Sequence, residues 1–460
     1  MLLMASASLK RSRTAGSTKT KFTLSMWFKR SSTDAKYLIS NYTDDNNRAL
    51  VQFGGANNFI FQSKYSGSNN AQIETNRLFR DTSAWYHIVL IGDSTLATAA
   101  DRTKLYVNGV RETSFSQETQ ISQNGDYYFN EATTNGFRVG EKGDGSDFFD
   151  GCMSHVVFLD GVAAVYTDFG SFDSTTGIWK PNTSPSVTYG TNGFFLKFDN
   201  SANMGLDSSG QSNNLTTTGT IIQIKDTPSN VFSTLNPLVN IGTTSRTIAN
   251  VATTFNTSTT AWANLLSTLT FSKGKYYVEV KIDTVQSSNG YGGFGVTDAT
   301  ESTTANDSIG NVSSKSAGVT FDHRSGQSKI RSAGSAVTSN IGNFSNGDIL
   351  GLAVDMDNKA LYVHLNGTYY QINSVTGVPT SGASKTGAIT IPATCEDCVF
   401  FCASYTSDAK SSFNFGNGFF GTTAVTSAQS PDDGEGIFEY DVPAGYRALC
   451  TKSLNATEYS

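Results

Sequence analysis

The chain has 460 residues, long enough for two or three domains with hydrophobic cores of their own. Its 33 Lys and Arg against 39 Asp and Glu give a net charge of −6, which argues against a basic surface for nucleic acid or for anionic membranes. Aromatic residues make up 12% and charged residues only 16%, so we expect a folded protein with a neutral polar surface.

The N-terminal segment does not read as a secretory signal peptide, because its short apolar run precedes Lys10 and Arg11 instead of following basic residues. No stretch approaches the roughly 18 consecutive apolar residues that span a bilayer. We therefore expect synthesis in a cytoplasm, or export by another route, and no membrane insertion.

Apolar and polar residues alternate through most of the chain, which is the period of strands that bury one face. In the first long run, residues 21–30, Phe22 and Met26 share the face expected to be buried. Residues 259–267 alone have a helical pattern. Further strand-like runs cover residues 85–91, 104–107, 151–159, 193–198, 275–282, 349–355, 360–365 and 399–405.

Two hairpins of one style divide the chain, each turning at an Asn-Gly dipeptide, at residues 108–109 and 366–367. They indicate two antiparallel β-sandwiches in tandem, joined where two prolines interrupt the strand periodicity. We predict an all-β protein with four segments: a first sandwich at residues 1–225, a docked linker at 226–240, a second sandwich at 241–420 and a C-terminal extension at 421–460.

The first half resembles the laminin G-like, concanavalin A-type jelly roll. The resemblance rests on WYHIV at residues 85–89, LYVNG at 105–109 and the closing strand FDGCMSHVVFLDG at 149–161. It covers about residues 15–220. The continuation over residues 169–198, with GIWKP and YGTNGFFLKF, is similar to a variant of this domain found mainly in bacteriophage virion proteins.

The second half resembles the SPRY family over about residues 245–416. Its motifs are GKYYVEV at residues 274–280, YGGFGV at 291–296 and NGDILGLAVD at 346–355. This resemblance implies a binding module without catalysis, whose loops at one end meet the partner. The final run YDVPAGYRALCT, residues 440–451, is similar to a terminal signature of phage structural proteins.

A catalytic constellation is not evident in the sequence. A glycan-degrading jelly roll needs two carboxylates that flank the sugar bond, usually displayed as E-x-D-x-x-E. The nearest pairs are Glu279 with Asp283 and Asp355 with Asp357, which read better as strand or turn carboxylates. The four histidines are scattered, and we expect His87 to be a hydrogen-bonded structural residue. We therefore predict that the protein is not an enzyme.

The cysteines are sparse and odd in number, five in all, so free thiols are the expectation. Free thiols are also the favoured interpretation for Cys395 and Cys398, although their C-x-x-C spacing leaves a local disulfide and a metal site as alternatives.

No cofactor is expected, although calcium is possible. Asp144 and Asp147, in the loop at residues 141–147, offer oxygen ligands at short spacing. The favoured interpretation of this loop is a polar, glycine-rich hairpin without a metal ion.

Candidate ligand-binding residues are Tyr127 and Tyr128, whose rings could stack on a sugar, and Arg324 in a predicted loop. The two tyrosines could equally belong to the core.

These observations predict a noncatalytic bacteriophage virion protein, a tail-fibre or head-fibre adhesin located in the virion. The expected partners are other virion proteins and a glycan or protein of the host surface, bound by a homo-oligomer. Two alternatives stay open: a capsid-decorating or tail-assembly protein that contacts only other virion proteins, and a glycan-degrading enzyme.

Overall fold

The computed structural model describes the chain except residues 4–5, 15–17, 134, 237–238, 240, 243–245, 250–253, 258–261, 286–290, 302–307, 323–327, 340, 406–408 and 459–460. Its contacts form two compact units, Met1–Ser229 (unit 1) and Asn230–Ser460 (unit 2). The predicted limits of the linker and of the C-terminal extension stay predictions. No helix among the described residues is long and apolar enough to span a membrane.

Unit 1 consists of short and medium strands with three single-turn 3₁₀ helices, Ala99–Asp101, Tyr128–Asn130 and Tyr166–Asp168. Its strands are β1 (Leu2–Leu3), β2 (Ser8–Arg11), β3 (Lys21–Arg30), β4 (Tyr37–Asp44), β5 (Asn47–Phe53), β6 (Asn58–Tyr65), β7 (Ser68–Leu78), β8 (Tyr86–Asp93), β9 (Thr103–Val107), β10 (Val110–Arg111), β11 (Phe115–Thr119), β12 (Phe137–Val139), β13 (Gly151–Asp160), β14 (Gly170–Phe172), β15 (Trp179–Pro181), β16 (Phe194–Leu196), β17 (Thr216–Thr218) and β18 (Ile221–Ile222).

Two antiparallel sheets of unit 1 share one core. Sheet A has the order β10-β9-β8-β3-β13-β1-β18, with β16 also paired to β13, and sheet B has the order β11-β7-β6-β5-β4-β12-β2-β17. Phe22 and Met26 of sheet A meet Phe61 and Val51 of sheet B in this core, as the alternation of β3 predicts. The jelly-roll type of sandwich predicted for the first half is therefore present.

The outer face of sheet A is also buried, which the sequence pattern did not predict. Val89, Val157 and Leu159 point away from the main core and pack with Phe169 and Phe195 in a second apolar cluster. The chain after β13 supplies this cover, because it folds back over the strands it has just left. Sheet A is thus a middle layer with apolar packing on both faces.

A fully buried ion pair links Arg13, which follows β2, to Asp160 at the end of β13. The Nη2 atom of Arg13 lies 3.3 Å from Asp160 Oδ1, and both side chains are inaccessible to solvent. Asp160 also accepts hydrogen bonds from the side chain of Asn130 at 2.8 Å and from the backbone and side-chain N–H groups of Asn192 at 3.1 and 3.0 Å. Arg13 donates to the carbonyl of Phe129 as well. The charges are therefore paired and hydrogen-bonded, as buried charges must be.

Unit 2 carries the two described α-helices, α1 (Ile309–Val312) and α2 (Thr451–Glu458), and a 3₁₀ segment, Pro379–Ser384. Its strands are β19 (Ile241–Gly242), β20 (Arg246–Ala249), β21 (Thr254–Thr257), β22 (Ala263–Leu266), β23 (Lys275–Thr284), β24 (Tyr291–Asp298), β25 (Ala317–Asp322), β26 (Lys329–Ser332), β27 (Ser335–Ser339), β28 (Ile349–Asp355), β29 (Ala360–Leu365), β30 (Thr368–Tyr369), β31 (Gln371–Ile372), β32 (Val375–Thr376), β33 (Ile389–Thr390), β34 (Cys398–Ser404), β35 (Lys410–Asn414), β36 (Phe419–Phe420), β37 (Thr423–Ala424) and β38 (Arg447–Ala448).

Unit 2 is also a sandwich. Sheet C has the order β19-β22-β34-β24-β25-β26-β27, and sheet D has the order β20-β21-β35-β23-β28-β29-β30, with β33 and β38 as side partners. Phe294 and Phe400 of sheet C pack with Val278 and Leu352 of sheet D in one core. The all-β prediction of two antiparallel sandwiches is therefore confirmed.

Two local predictions for unit 2 are wrong. The helical pattern at residues 259–267 contains the strand β22 instead, because Leu265 pairs with Cys402 of β34 and is fully buried in the core. The thiols of Cys395 and Cys398 form a disulfide, the alternative that the C-x-x-C spacing left open. The remaining cysteines are free and buried.

The two hairpin predictions are confirmed. Asn108 and Gly109 have φ values of 48° and 78°, and Asn366 and Gly367 have φ values of 50° and 84°. Positive φ at both central residues defines the type I′ turn that Asn-Gly favours.

Each unit has its own apolar core, so we expect residues 1–229 and 230–460 to fold when produced separately. Calorimetry of the two fragments should show one cooperative transition for each. A fragment that melts without a cooperative transition would contradict the division into two independent units.

Replacing Asp160 by alanine should destabilise unit 1 by about 3–5 kcal/mol, because Arg13 would stay buried without its counter-charge. Chemical denaturation of fragment 1–229 measures this change. The matched control is Asp101→Ala, which breaks the exposed pair with Arg111 and should cost at most about 1 kcal/mol. Equal costs for the two variants would show that burial of the Arg13–Asp160 pair is not what makes it important.

Candidate functional site

The buried histidine His87 organises the outer face of sheet A. Its Nε2 atom lies 2.9 Å from Ser25 Oγ, and its Nδ1 atom accepts a 2.9 Å hydrogen bond from the indole Nε1 of Trp179. Burial lowers the pKa of His87 to about 3, so the ring is neutral near pH 7. His87 is thus the hydrogen-bonded structural residue that the sequence predicts.

The same contacts exclude a serine–histidine nucleophile at this position. An indole nitrogen can only donate, so Nδ1 of His87 must be the unprotonated nitrogen. Nε2 then carries the proton and donates it to Ser25 Oγ. His87 therefore cannot accept the proton of Ser25, which a general base would have to do.

A hairpin after the jelly roll brings Trp179 to this face. Gly170–Phe172 pairs with Trp179–Pro181, with Phe172 directly opposite Trp179. The Trp179 ring lies so close to the β9–β10 turn that a Cβ atom on Gly109 would stand 2.3 Å from it. Gly109 therefore serves two needs, a positive φ in the turn and room for the indole.

Five rings form a row from the interior toward the surface. Trp27 stacks on His87 with centroids 4.6 Å apart, and His87 faces Trp179 at 6.0 Å. Trp179 in turn faces Tyr166 at 6.0 Å, and Tyr166 stacks on Tyr106 at 4.3 Å. Successive planes deviate by no more than 27°, so the rings are nearly parallel. This packing fixes the position of the outer rings.

Four exposed apolar side chains belong to the segments that carry the row and the adjoining β9–β10 turn. Val110 is 56% exposed, Val165 58%, Phe172 50% and Ile178 60%. Phe172 contacts Trp179 edge to face at 4.9 Å, and the other three are sequence neighbours of Gly109, Tyr166 and Trp179. We call the following set the Trp179 patch: Tyr106, Val110, Val165, Tyr166, Phe172, Ile178 and Trp179. Exposed apolar groups in such a cluster are typical of binding surfaces.

Charged side chains lie beside the apolar groups of the Trp179 patch. Lys180 pairs with Asp173 at 2.6 Å, next to Trp179, and Arg111 pairs with Asp101 at 3.1 Å, next to Val110. A rigid aromatic centre with polar groups beside it can hold the CH face of a sugar while the neighbours bond its hydroxyls.

The sequence prediction singled out other residues for this role. Tyr127 is fully buried, and its hydroxyl is hydrogen-bonded to the carbonyl of Arg102 at 2.6 Å and to Thr103 at 3.0 Å. Tyr128 is 6% exposed, and its hydroxyl donates a hydrogen bond to Thr43 Oγ1 at 2.9 Å. Both rings belong to the core, the alternative that the sequence left open, because they close the gap between the two sheets. Arg324 lies outside the described residues.

The two candidate calcium ligands in the loop at residues 141–147 have ion-pair or hydrogen-bond partners within that loop. Asp144 pairs with Lys142 at 2.7 Å and accepts a hydrogen bond from Ser146 Oγ at 2.6 Å. Asp147 accepts from the same serine at 3.2 Å. The described residues contain no cluster of three side chains able to hold a metal ion. A calcium ion bound to Asp144 would have to displace the Lys142 ammonium. Calcium binding stays a prediction.

Glu279 is the most perturbed carboxyl group of unit 2. It is fully buried and accepts hydrogen bonds from the backbone N–H groups of Glu439 and Tyr440, both at 2.8 Å. Asn414 and the hydroxyl of Tyr277 complete its shell at 3.2 and 3.1 Å. Burial raises the pKa of Glu279 to about 7 in spite of these donors. The group attaches the chain near residue 440 to sheet D.

A relay of hydrogen bonds orders this network. The N–H of Gly367 donates to His364 Nδ1 at 3.1 Å, so His364 carries its proton on Nε2 and presents it to the hydroxyl of Tyr277 at 2.7 Å. Tyr277 then donates to Glu279. Every position in the relay is occupied by a protein group, which is the arrangement of a structural network.

The other carboxylates considered for catalysis are engaged in strands and turns. Asp283 accepts from Ser412 at 2.5 Å, Asp355 pairs with Lys275 at 3.3 Å, and Asp357 accepts from the backbone of Gly274 at 2.8 Å. The structure therefore favours the strand and turn roles for these groups.

Unit 2 has an open cleft of about 630 Å³ beside the β31–β32 hairpin. Val337, Ile341 and Tyr370 line it together with Asn373 and other polar groups. The hydroxyl of Tyr370 is buried without a hydrogen-bond partner among the described residues. The cleft can hold a small polar molecule, but it presents fewer aromatic groups than the Trp179 patch.

Comparison with known protein families agrees with the β-sandwich fold of unit 1. Residues 5–164 match the family model described as the Concanavalin A-like lectin/glucanases superfamily. That description includes lectins and glucanases, so the match fits a binding role and leaves catalysis open. No curated protein sequence matches the chain.

Several solved structures are similar at low identity. The SPRY domain of human HERC1 is 13% identical with a TM-score of 0.27, and the match covers 36% of this chain and 91% of that domain. The SAP-like pentraxin of Limulus polyphemus is 15% identical with a TM-score of 0.26, covering 36% and 76%. The carbohydrate-binding module CBM66 of Bacillus subtilis is 10% identical with a TM-score of 0.24, covering 38% and 90%. These values carry no conclusion about function.

The buried Glu279 predicts a distinctive pH dependence. Its folded pKa of about 7 lies above the ordinary 4.5, so the folded state binds the additional proton between these values. Between about pH 5 and pH 8, the unfolding free energy should therefore fall relative to that of Glu279→Gln by about 2.5 kcal/mol. Denaturation of both proteins across this range measures the difference.

The difference between the two proteins isolates this carboxyl group. His87 and His155, whose pKa values burial lowers to about 3 and 4, belong to unit 1 and are present in both proteins, so their contributions cancel. A difference that does not change with pH would show that Glu279 is already ionised in the folded protein at low pH.

Proposed function

We propose that the protein is a noncatalytic adhesin of a bacteriophage virion, a fibre component that binds a host-surface glycan through the Trp179 patch. The observation that carries the glycan-binding part is the cluster of exposed apolar groups held on a rigid row of stacked rings. The concanavalin A-like match of residues 5–164 supports a recognition role for the same unit.

The chemistry of the patch suits a saccharide. Sugar rings present apolar CH groups on one face and hydroxyls around the edge, and an aromatic side chain with polar neighbours meets both needs. Phe172 is half exposed and its contact with Trp179 fixes its orientation, so little side-chain entropy is lost on binding. The proposal therefore places the sugar against Phe172 and Ile178.

The noncatalytic part of the proposal rests on the engagement of the candidate groups. Ser25 faces the protonated nitrogen of His87, and Glu279 is enclosed by four donors. Neither arrangement supplies the pair of facing carboxylates that sugar hydrolysis requires.

The virion part of the proposal rests on the sequence. The runs at residues 169–198 and 440–451 are similar to segments of phage structural proteins. Display in several copies on a particle would also convert weak single-site binding into firm attachment.

A second candidate is a capsid-decorating or tail-assembly protein. The aliphatic members of the patch, Val110, Val165 and Ile178, favour it, because exposed aliphatic groups are common in protein–protein interfaces. In that case the patch would meet another virion protein and would not bind host cells.

Binding to host cells tests the proposal. Phe172→Ala and Ile178→Ser should each weaken binding to purified host envelope polysaccharide about tenfold, since each removes roughly 1–2 kcal/mol of contact. Both side chains are at least half exposed, so the melting temperature should change little. Titration calorimetry and thermal scans give the two readouts.

The matched control is Leu78→Ala. Leu78 is also an exposed apolar side chain of unit 1, but it lies on β7 of sheet B. It should leave glycan binding unchanged. Saturating protein that binds virion particles and ignores both cells and polysaccharide would favour the assembly role, and release of reducing sugar would favour an enzyme.

A further inference from the structure

A second site on unit 1 has the opposite character to the Trp179 patch. A cavity of about 280 Å³ opens where β2 lies between β12 and β17 of sheet B, and Lys10, Arg11 and Arg138 line it. The other described lining residues are neutral and polar, among them Asn135 and Asn214, and none is acidic. Three cationic residues thus line one small cavity in a chain whose net charge is −6, with Lys10 and Arg138 on the outer face of the sheet.

The strand register brings two of these charges face to face. Lys10 is directly opposite Arg138 on β12 and directly opposite Thr216 on β17. Their neighbours Leu9 and Phe137 point into the core, so the three side chains share the outer face of the sheet. Like charges directly opposite each other on antiparallel strands are destabilising. A bound anion would remove that repulsion.

Existing partners neutralise only part of this charge. Arg138 forms an ion pair with Glu141, and Arg11 donates a hydrogen bond to the side chain of Asn213. Lys10 has no carboxylate within ion-pair distance among the described residues.

The nearby carboxylate of Asp207 is hydrogen-bonded to backbone groups outside the cavity. Asp207, the carboxylate that acts most strongly on the charge of Arg11, accepts hydrogen bonds from the backbone of Phe195, Ser209 and Asn213 at 2.8–2.9 Å. It does not line the cavity. The cavity therefore keeps an excess of positive charge, because its exposed Lys10 has no ion-pair partner among the described residues.

We propose that this cavity binds one anionic substituent, a carboxylate, sulfate or phosphate, of the polysaccharide that the Trp179 patch recognises. The identity of the polysaccharide rests on the proposed function, whereas the anion site rests on the three cations alone. Arginine provides paired N–H donors and lysine a mobile point charge, the combination suited to an oxyanion. The cavity volume of about 280 Å³ is large enough for one such group and its hydration.

Three polymers test the site: dextran, dextran sulfate and polygalacturonate. Titration calorimetry at about 50 mM salt, where screening is weak, should show binding of at least one charged polymer and none of neutral dextran. Lys10→Gln removes a cation, and Thr216→Glu adds a carboxylate directly opposite Lys10. Each variant should weaken that binding about tenfold or more. Both positions are exposed, so folding should be unaffected.

Matched controls separate a defined site from general attraction. Lys64→Gln removes a lysine that also stands opposite an arginine, Arg48, on sheet B but outside the cavity. Thr218→Glu adds the same carboxylate two residues along β17. Neither should weaken binding as much as its counterpart.

Several outcomes would overturn the proposal. These are no binding of either charged polymer, equal loss with the control variants, or equal binding of neutral dextran. Tighter binding of a DNA oligonucleotide would assign the cavity to a nucleic acid. If the charged polymers fail while Phe172→Ala still weakens binding of host polysaccharide, the anion site is wrong and the proposed function stands. If the charged polymers bind while Phe172→Ala leaves binding of host polysaccharide unchanged, the anion site stands and the proposed adhesin role is wrong.

Discussion

The hydrogen bond from Trp179 to His87 is the contact on which the outer face of sheet A depends. It fixes the tautomer of His87, because an indole can only donate, and so it also fixes the direction of the bond to Ser25. It holds the β14–β15 hairpin against Gly109, where no larger residue would leave room for the ring. The same contact that prevents His87 from acting as a base therefore positions Phe172 and Ile178 at the surface.

The strands were largely predictable from the sequence, whereas the layer outside them was not. The pattern of β3 correctly assigned Phe22 and Met26 to the core, but it also implied that Trp27 would face solvent. Trp27 is only 4% exposed, and its ring stacks on His87 of the neighbouring strand β8 with centroids 4.6 Å apart. Local periodicity records which residues share a face, and it contains no information about what later packs on that face.

The candidate site was missed for the same reason. The sequence predicts Tyr127 and Tyr128 as candidate ligand-binding residues because they are adjacent aromatics. Their burial, however, depends on how the two sheets close around them. Phe172 and Ile178 stand on either side of the turn at residues 173–177, a pattern that could have suggested an exposed apolar hairpin. The three cations of the anion cavity come from strands about 130 residues apart in sequence, and only the register of β2 with β12 brings them together. The helical pattern at residues 259–267 failed because pairing with β34 outweighed a weak local preference.

The proposed function places recognition on the outer face of sheet A, at the Trp179 patch. Hydrogen–deuterium exchange of the whole protein with and without host envelope polysaccharide tests it most directly, because it needs no mutation and reports on every segment. Slower exchange confined to peptides that contain residues 105–111 and 165–181 is the predicted result, with added protection at residues 8–12 if the polysaccharide is anionic. Protection confined to residues 335–376, around the cleft of unit 2, would contradict the account.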